Sequence, residues 1–139
     1  MKLFVFFLLF FYSLFSWSQR PELKFIHISP IEGLSHSFVR NIVQDHKGFI
    51  WIATANGLNR FDGYDITIYK NNPQDSNSII SNDVLRIFKD HKDNLWVGTN
   101  KGVQLYNKEQ DNFYFFKETE NGYINSIFQD SNKDIWVSG

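Results

Sequence analysis

The sequence predicts an all-β chain assembled from a repeated four-stranded unit, and three observations predict it. Aromatic residues make up 18% of the chain, with 15 Phe, 6 Tyr and 4 Trp, and such side chains favour pleated, half-buried surfaces. One short pattern occurs three times. Asp45-His46-Lys47-Gly48-Phe49-Ile50-Trp51-Ile52-Ala53-Thr54 aligns with Asp90-His91-Lys92-Asp93-Asn94-Leu95-Trp96-Val97-Gly98-Thr99, and then with Asp130-Ser131-Asn132-Lys133-Asp134-Ile135-Trp136-Val137-Ser138. The apolar runs between turn residues are also short, none reaching the roughly 10–12 residues expected of a stable helix.

In chain order, the first element is an address. Met1-Lys2 supplies positive charge, Leu3 to Phe15 is almost wholly apolar, and Ser16-Trp17-Ser18 places small residues at the two positions a signal peptidase reads. This is the layout of a secretory signal peptide. The expectation is a signal-peptide helix over residues 1–18, a mature chain from Gln19 and a lead-in over 19–33. As a retained anchor the apolar run is short of the roughly 20 residues that span a bilayer, and Tyr12 and Ser13 interrupt it. Cleaved or retained, the leader delivers residues from 19 onward across the inner membrane, so a periplasmic or other extracytoplasmic location is expected.

The repeats then occupy 34–78, 79–120 and, in part, 121–139. Successive tryptophans are 45 and 40 residues apart, and the Asp-to-Trp separation is constant. Val39, Ile42 and Val43 correspond to Val84, Ile87 and Phe88, and to Ile124, Ile127 and Phe128. Downstream, Gly57-Leu58 and Phe61 correspond to Gly102-Val103 and Tyr106. The recurring positions Asp45, Trp51, Gly57, Asp90, Trp96, Gly102, Asp130 and Trp136 define the unit.

Each unit reads as four strands. In the first they are 39–44, 49–54, 58–61 and 65–70, and in the second 84–89, 95–99, 103–106 and 112–117. Asp45, Asp90 and Asp130 open a tight turn, since an Asp carboxylate accepts from backbone N–H groups two residues on. Gly48 supplies a positive φ there, and Asp93-Asn94 tolerates one. Aliphatics on both sides of each tryptophan imply burial on both faces, as in a strand between stacked sheets. Ala53, Gly98 and Ser138, two residues later, are small enough for a neighbouring backbone to approach. Gly57 and Gly102 mark the next turn.

A four-stranded unit of this length cannot shield its two faces alone, and stacking copies around an axis solves the problem. The predicted fold is therefore an incomplete β-propeller, with two four-stranded blades and part of a third. A linear solenoid competes, but its repeats are usually shorter and hold fewer strands. A closed propeller needs roughly four to eight blades, so the chain reads as a truncated product whose downstream blades are missing. Its unpaired edge strand and apolar sheet face are expected to drive self-association.

The Asp-x-x-Gly/Asp turn, the Leu/Ile-Trp-Ile/Val-Gly/Ala/Ser-Thr strand and the Gly-Leu/Val-x-x-Phe/Tyr strand resemble the two-component regulator propeller repeat. Leu34-Ser35 and Ile80-Ser81, just before the first strands, fit its opening. The resemblance covers residues 34–139. It implies the sensory part of a periplasmic hybrid two-component histidine kinase of the kind found in Bacteroidetes, with an oligosaccharide as signal and a kinase region beyond the blades. A secreted propeller that only binds or scaffolds is the alternative, and a propeller lyase a third.

Composition narrows the chemistry. The formal net charge is −1 with no basic stripe, so nucleic acid is not an expected partner. Without cysteine there are no disulfides, thiolate metal sites or Cys nucleophile. Asp130-x-Asn132-x-Asp134 opens like a calcium loop, but Ile135 stands where that loop needs Gly. His46 and His91 recur at one place in the repeated turn, so repetition explains them, and His27 and His36 lack zinc-ligand spacing. Ser35, Ser37, Ser78 and Ser81 lie in polar connections with no nucleophile elbow. Asp62 and Asp65 could imitate a carboxylate pair, but such pairs are defined by their separation across a cleft, and a surface or turn role is expected. No catalytic residue, cofactor or metal is expected, and no ligand-binding residue is assigned. Arg60, Tyr64, Asn71 and Asn72 are the loop residues best suited to a sugar.

Overall fold

The computed structural model describes residues 22–139, so the predicted signal peptide lies outside the described residues. After a 3-10 turn at Pro30–Glu32 come ten strands: β1 Val39–Gln44, β2 Ile50–Thr54, β3 Gly57–Phe61, β4 Ile66–Tyr69, β5 Val84–Lys89, β6 Leu95–Thr99, β7 Gly102–Asn107, β8 Asn112–Phe115, β9 Ser126–Gln129 and β10 Ile135–Ser138. They form two four-stranded sheets in the orders β1-β2-β3-β4 and β5-β6-β7-β8, and a two-stranded sheet of β9 and β10. Every pairing is antiparallel between sequence neighbours, as short hairpin turns require. Strands β1, β5 and β9 lie beside one another, which makes them the inner strands of successive blades. The all-β, blade-by-blade expectation holds. The outer strands are shorter than expected, β4 ending at Tyr69 and β8 at Phe115, where a second 3-10 turn, Lys117–Thr119, follows.

The Gly57 and Gly102 turns are built alike. The Thr54 hydroxyl donates to the Gly57 carbonyl and that of Thr99 to the Gly102 carbonyl. Both glycines have φ near +130°, where a side chain is strained. A Cβ on Gly102 would also stand 2.7 Å from the Thr119 carbonyl oxygen.

The core lies between sheets. Trp51, Ala53 and Leu58 of the first blade pack in one cluster with Val84, Ile87, Leu95, Val97, Tyr106 and Phe113 of the second, joined by Ile79 from the connection. Burying each large side chain is worth about 1.5–3 kcal/mol, so the seam between blades dominates stability. A second cluster joins Val103 to Ile124 and Ile127, with Phe88, Trp96, Phe116 and Ile135 against it.

Two sequence expectations are corrected here. The small residue two places after Trp96 admits a side chain, not a backbone: a Cβ on Gly98 would lie 2.6 Å from Cγ2 of Ile124. Where the second blade has Gly98 and the third Ile124, the first has Ala53 and the second Val84, so one methyl has moved across the seam. The repeat opening also shifts by one residue. Asn59 Oδ1 accepts the Ser35 N–H at 2.9 Å, and Gln104 Oε1 accepts the Ile80 N–H at 2.6 Å. Ser35 therefore matches Ile80, and buried Leu34 matches buried Ile79, because these two buried amides anchor the incoming chain.

The methyl exchange carries a prediction. Gly98→Ala should lower stability by about 1–3 kcal/mol, as overpacking does, and adding Ile124→Val should recover most of the loss. Urea unfolding of the two single variants and the double variant measures the coupling.

Candidate functional site

Each repeat carries an Asp–Trp clasp. Asp45 Oδ1 accepts the backbone N–H groups of Lys47 and Phe49 at 2.9 and 3.0 Å, while Oδ2 accepts the Trp51 indole N–H at 2.9 Å. Asp90 holds Lys92, Asn94 and Trp96 in the same way, the indole at 3.1 Å. Asp130 holds Asn132, Asp134 and Trp136, the indole at 2.8 Å. The turns keep a positive φ at Gly48, Asp93 and Lys133, whose identities differ while the conformation does not. A carboxylate accepting several N–H groups is stabilised in its charged form. Burial pushes the Asp90 carboxyl upward, but bonds from Asn94, Trp96 and Lys92 outweigh it and hold it below the usual range. The Trp136 bond chiefly lowers that of Asp130.

The clasps match, yet the tryptophans differ in exposure. Trp51 is 1% exposed and Trp136 62% exposed, with Trp96 between them. The expected burial on both faces holds for β2 and, apart from the half-buried Trp96 itself, for β6, but not for β10. The second blade covers Trp51, whose ring lies 4.7 Å from that of Tyr106, centroid to centroid. Two strands of the third blade partly cover Trp96, which stacks on Phe116 at 5.3 Å. No further sheet lies over Trp136 among the described residues.

Arg60 sits on the first seam. Its guanidinium lies 5.2 Å from the Phe49 ring, 5.7 Å from Trp51 and 5.6 Å from Tyr69. It donates to Tyr106 Oη at 2.9 Å and to Asp111 Oδ1 at 3.3 Å. Tyr69 and Tyr106 each donate to that same oxygen at 2.6 Å. Burial and the bond to Asp111 push the Tyr69 hydroxyl far above its ordinary pKa. The second blade has Leu105 at the matching position, so Arg60 is particular to this seam and works as a brace between blades.

Asp93 is a second brace. It accepts the backbone N–H of His46 at 3.1 Å and pairs with the His46 ring, and it also pairs with Lys89 at 3.2 Å and Lys108 at 2.9 Å. Burial opposes its charge, but Lys108, His46 and Lys89 hold its carboxyl well below the usual range. His91, in the matching turn, donates its backbone N–H to Gln129 Oε1 of the third blade at 2.9 Å.

The other residues singled out in the sequence do not converge. Tyr64 is 93% exposed at the tip between β3 and β4. Asn71 and Asn72 follow β4 at the opposite end, where Asn71 Nδ2 donates to the Ile79 carbonyl at 2.8 Å. Asp62 accepts the N–H groups of Tyr64 and Asp65, both at 2.8 Å, which closes a hairpin. A different group, not singled out in the sequence, gathers where β1 and β5 begin. Arg40 donates to Asp83 Oδ1 at 2.7 Å across the seam, and its guanidinium lies 5.3 Å from the Phe38 ring.

The family model for the two component regulator propeller matches residues 33–56, 78–101 and 119–139. The chain belongs to this repeat family. Over 62 residues it is 48% identical to histidine kinase P4 of Formosa agariphila, a stretch that is 45% of this chain and 4% of that protein. Its structure matches the extracellular domain of the hybrid two component system BT3049 of B. thetaiotaomicron with a TM-score of 0.71 and 28% identity, over 81% of this chain and 17% of that one. For the extracellular domain of the one component system BT4673 the values are 0.66 and 27%, over 87% and 18%. Virginiamycin B lyase of Staphylococcus aureus, at 20% identity and a TM-score of 0.52, over 73% of this chain and 34% of that one, shares the fold alone. The chain thus spans a small part of the relatives it matches. That the solved relatives of these propeller repeats are extracellular domains accords with an extracytoplasmic sensory propeller. Among the described residues no helix is long and apolar enough to cross a membrane.

The clasp makes propeller stability depend on acid. Asp90 has a depressed folded pKa, so its contribution is complete above the unfolded value near 4 and fades as pH falls through the lower folded value. Asp90→Asn removes the acceptor facing Trp96 and should cost about 1.5–3 kcal/mol at pH 7, as for a bond to a charged group. Denaturant midpoints measured from pH 7 to 2 should fall less steeply below pH 4 in the variant than in the parent.

Proposed function

We propose that residues 34–139 form the opening blades of a ligand-sensing propeller on the outer side of the inner membrane. The parent protein continues through further blades to a histidine kinase, and its signal is an oligosaccharide. The observation that carries this reading is the match to the BT3049 extracellular domain over 81% of the chain, and the identity with histidine kinase P4 supports it. The open face of the third blade, where Trp136 and Phe128 are exposed, agrees with further blades, because an apolar face of this kind is normally covered.

In this reading the blades do no chemistry themselves. The first seam, braced by Arg60 and Asp93, holds its two blades in a fixed relation, so a ligand bound where they meet is held by a rigid frame. Binding energy then shifts the equilibrium between signalling states only as far as it differs between them.

Membrane vesicles carrying the full-length protein test the proposal. Given ATP and hydrolysates of single polysaccharides, they should incorporate several-fold more phosphate on histidine with one hydrolysate than with none. A reading frame without a kinase, or phosphorylation indifferent to every hydrolysate, would overturn it.

A further inference from the structure

The first blade has two apolar faces, and the second blade covers one of them. Val84, Ile87, Leu95, Val97, Tyr106 and Phe113 make the face on which the second blade receives Trp51. Strand pairing sets Val39, Ile42, Ile50, Ile52, Phe61 and Ile66 at the matching positions of the first blade. β1 and β5 carry the same bulge, the register skipping Arg40 and Leu85, so the two faces stay in phase. All six pairs of positions are apolar. Ile87 is 4% exposed and Ile42 57%, so the first blade repeats the receiving face but leaves it open. An apolar face of this kind marks a contact surface.

The filled seams show what such a face accepts. In each, the backbone N–H of the residue after the clasping aspartate reaches a side chain of the next blade. His46 donates to Asp93 Oδ1 at 3.1 Å and His91 to Gln129 Oε1 at 2.9 Å. Gln44 stands where Gln129 stands, at the end of its inner strand, and is held in the same way. Its Nε2 donates to the Gly48 carbonyl at 3.2 Å, as Gln129 Nε2 donates to that of Lys133 at 3.0 Å. Gln44 Oε1 accepts no hydrogen bond among the described residues, and the N–H of Ser131, after the third clasping aspartate, donates none. Beside Ser131 the third blade exposes Phe128 and Trp136, which pair across β9 and β10 and share one face. The counterparts of Phe128, Val43 and Phe88, pack into the filled seams.

We propose that the first blade of one copy receives the third blade of a second copy, head to tail. Trp136 and Phe128 enter the face formed by Val39, Ile42, Ile50 and Phe61, and the Ser131 N–H donates to Gln44 Oε1. The contact joins unlike surfaces, so each added copy brings one free face until a ring closes or a filament grows. In dilute solution the chain is a monomer and Trp136 stays open. The inference goes beyond the sensory reading and does not rest on it, since it concerns only the faces of these blades.

Sedimentation velocity of the chain recovered from the periplasm, from low to high micromolar concentration, tests it. Oligomers should grow with concentration. Ile42→Glu and Phe128→Glu, both at exposed positions outside the clasps, should each leave a monomer. Mixed, the two variants should form a one-to-one dimer that grows no further, because each supplies the face the other has lost. Gln44→Ala should weaken association about three- to tenfold, as for loss of one hydrogen bond. Tyr114→Glu, at an exposed aromatic outside the contact, should leave it unchanged. Near-ultraviolet circular dichroism checks that each variant is folded. A monomer at every concentration overturns the proposal. So does a Phe128→Glu variant that still associates, which would mean that copies pair through like faces, and so does a mixture that stays monomeric.

Discussion

One hydrogen-bonded unit, an aspartate gripping two backbone N–H groups with one oxygen and an indole with the other, organises this chain. It closes the turn between the first two strands of a repeat. It also fixes the tryptophan ring against its own sheet, facing the next one. A buried indole needs an acceptor for its N–H, and a carboxylate that has already spent one oxygen on the turn supplies it without further ordering cost. The local turn and the long-range seam are therefore set by the same residue, six positions before the tryptophan.

Identical clasps give unlike burial because a clasp presents the ring while only the following sheet covers it. Trp51 has a complete sheet over it, Trp96 two strands and Trp136 none among the described residues. The seams are not interchangeable either. The first is braced by Arg60 among aromatic rings and by Asp93 among cations, whereas Leu105 replaces Arg60 in the second. Apolar stacking brings the blades together, and these polar groups fix how they sit, since an ion pair that is partly buried rewards one geometry.

Much of this was legible in the sequence because the repeat carries its own turn chemistry. The constant Asp-to-Trp interval marks the clasp, although the indole bond appears only in the folded chain. The turn conformation could be anticipated at Gly48 and Asp93, while Lys133 adopts it with no composition signal. The pairing of Leu34 with Ile79 was masked because Ile80-Ser81 mimics Leu34-Ser35, although Ile79 precedes Trp96 by the same interval that separates Leu34 from Trp51, and Gln104 captures the backbone N–H that follows. Arg40 and Phe38 were hidden for another reason. A strand bulge leaves no mark in an alternation pattern, and the partner Asp83 lies 43 residues away.

The central claim is that each indole is presented by its own clasp and buried by the following blade. Hydrogen exchange of the indole N–H groups of Trp51, Trp96 and Trp136, followed by NMR, tests it most directly. Exchange should be slowest at Trp51, intermediate at Trp96 and fastest at Trp136, and replacing the clasping aspartate should accelerate it at that repeat first. Equal rates at all three indoles, or the reverse order, would contradict the account.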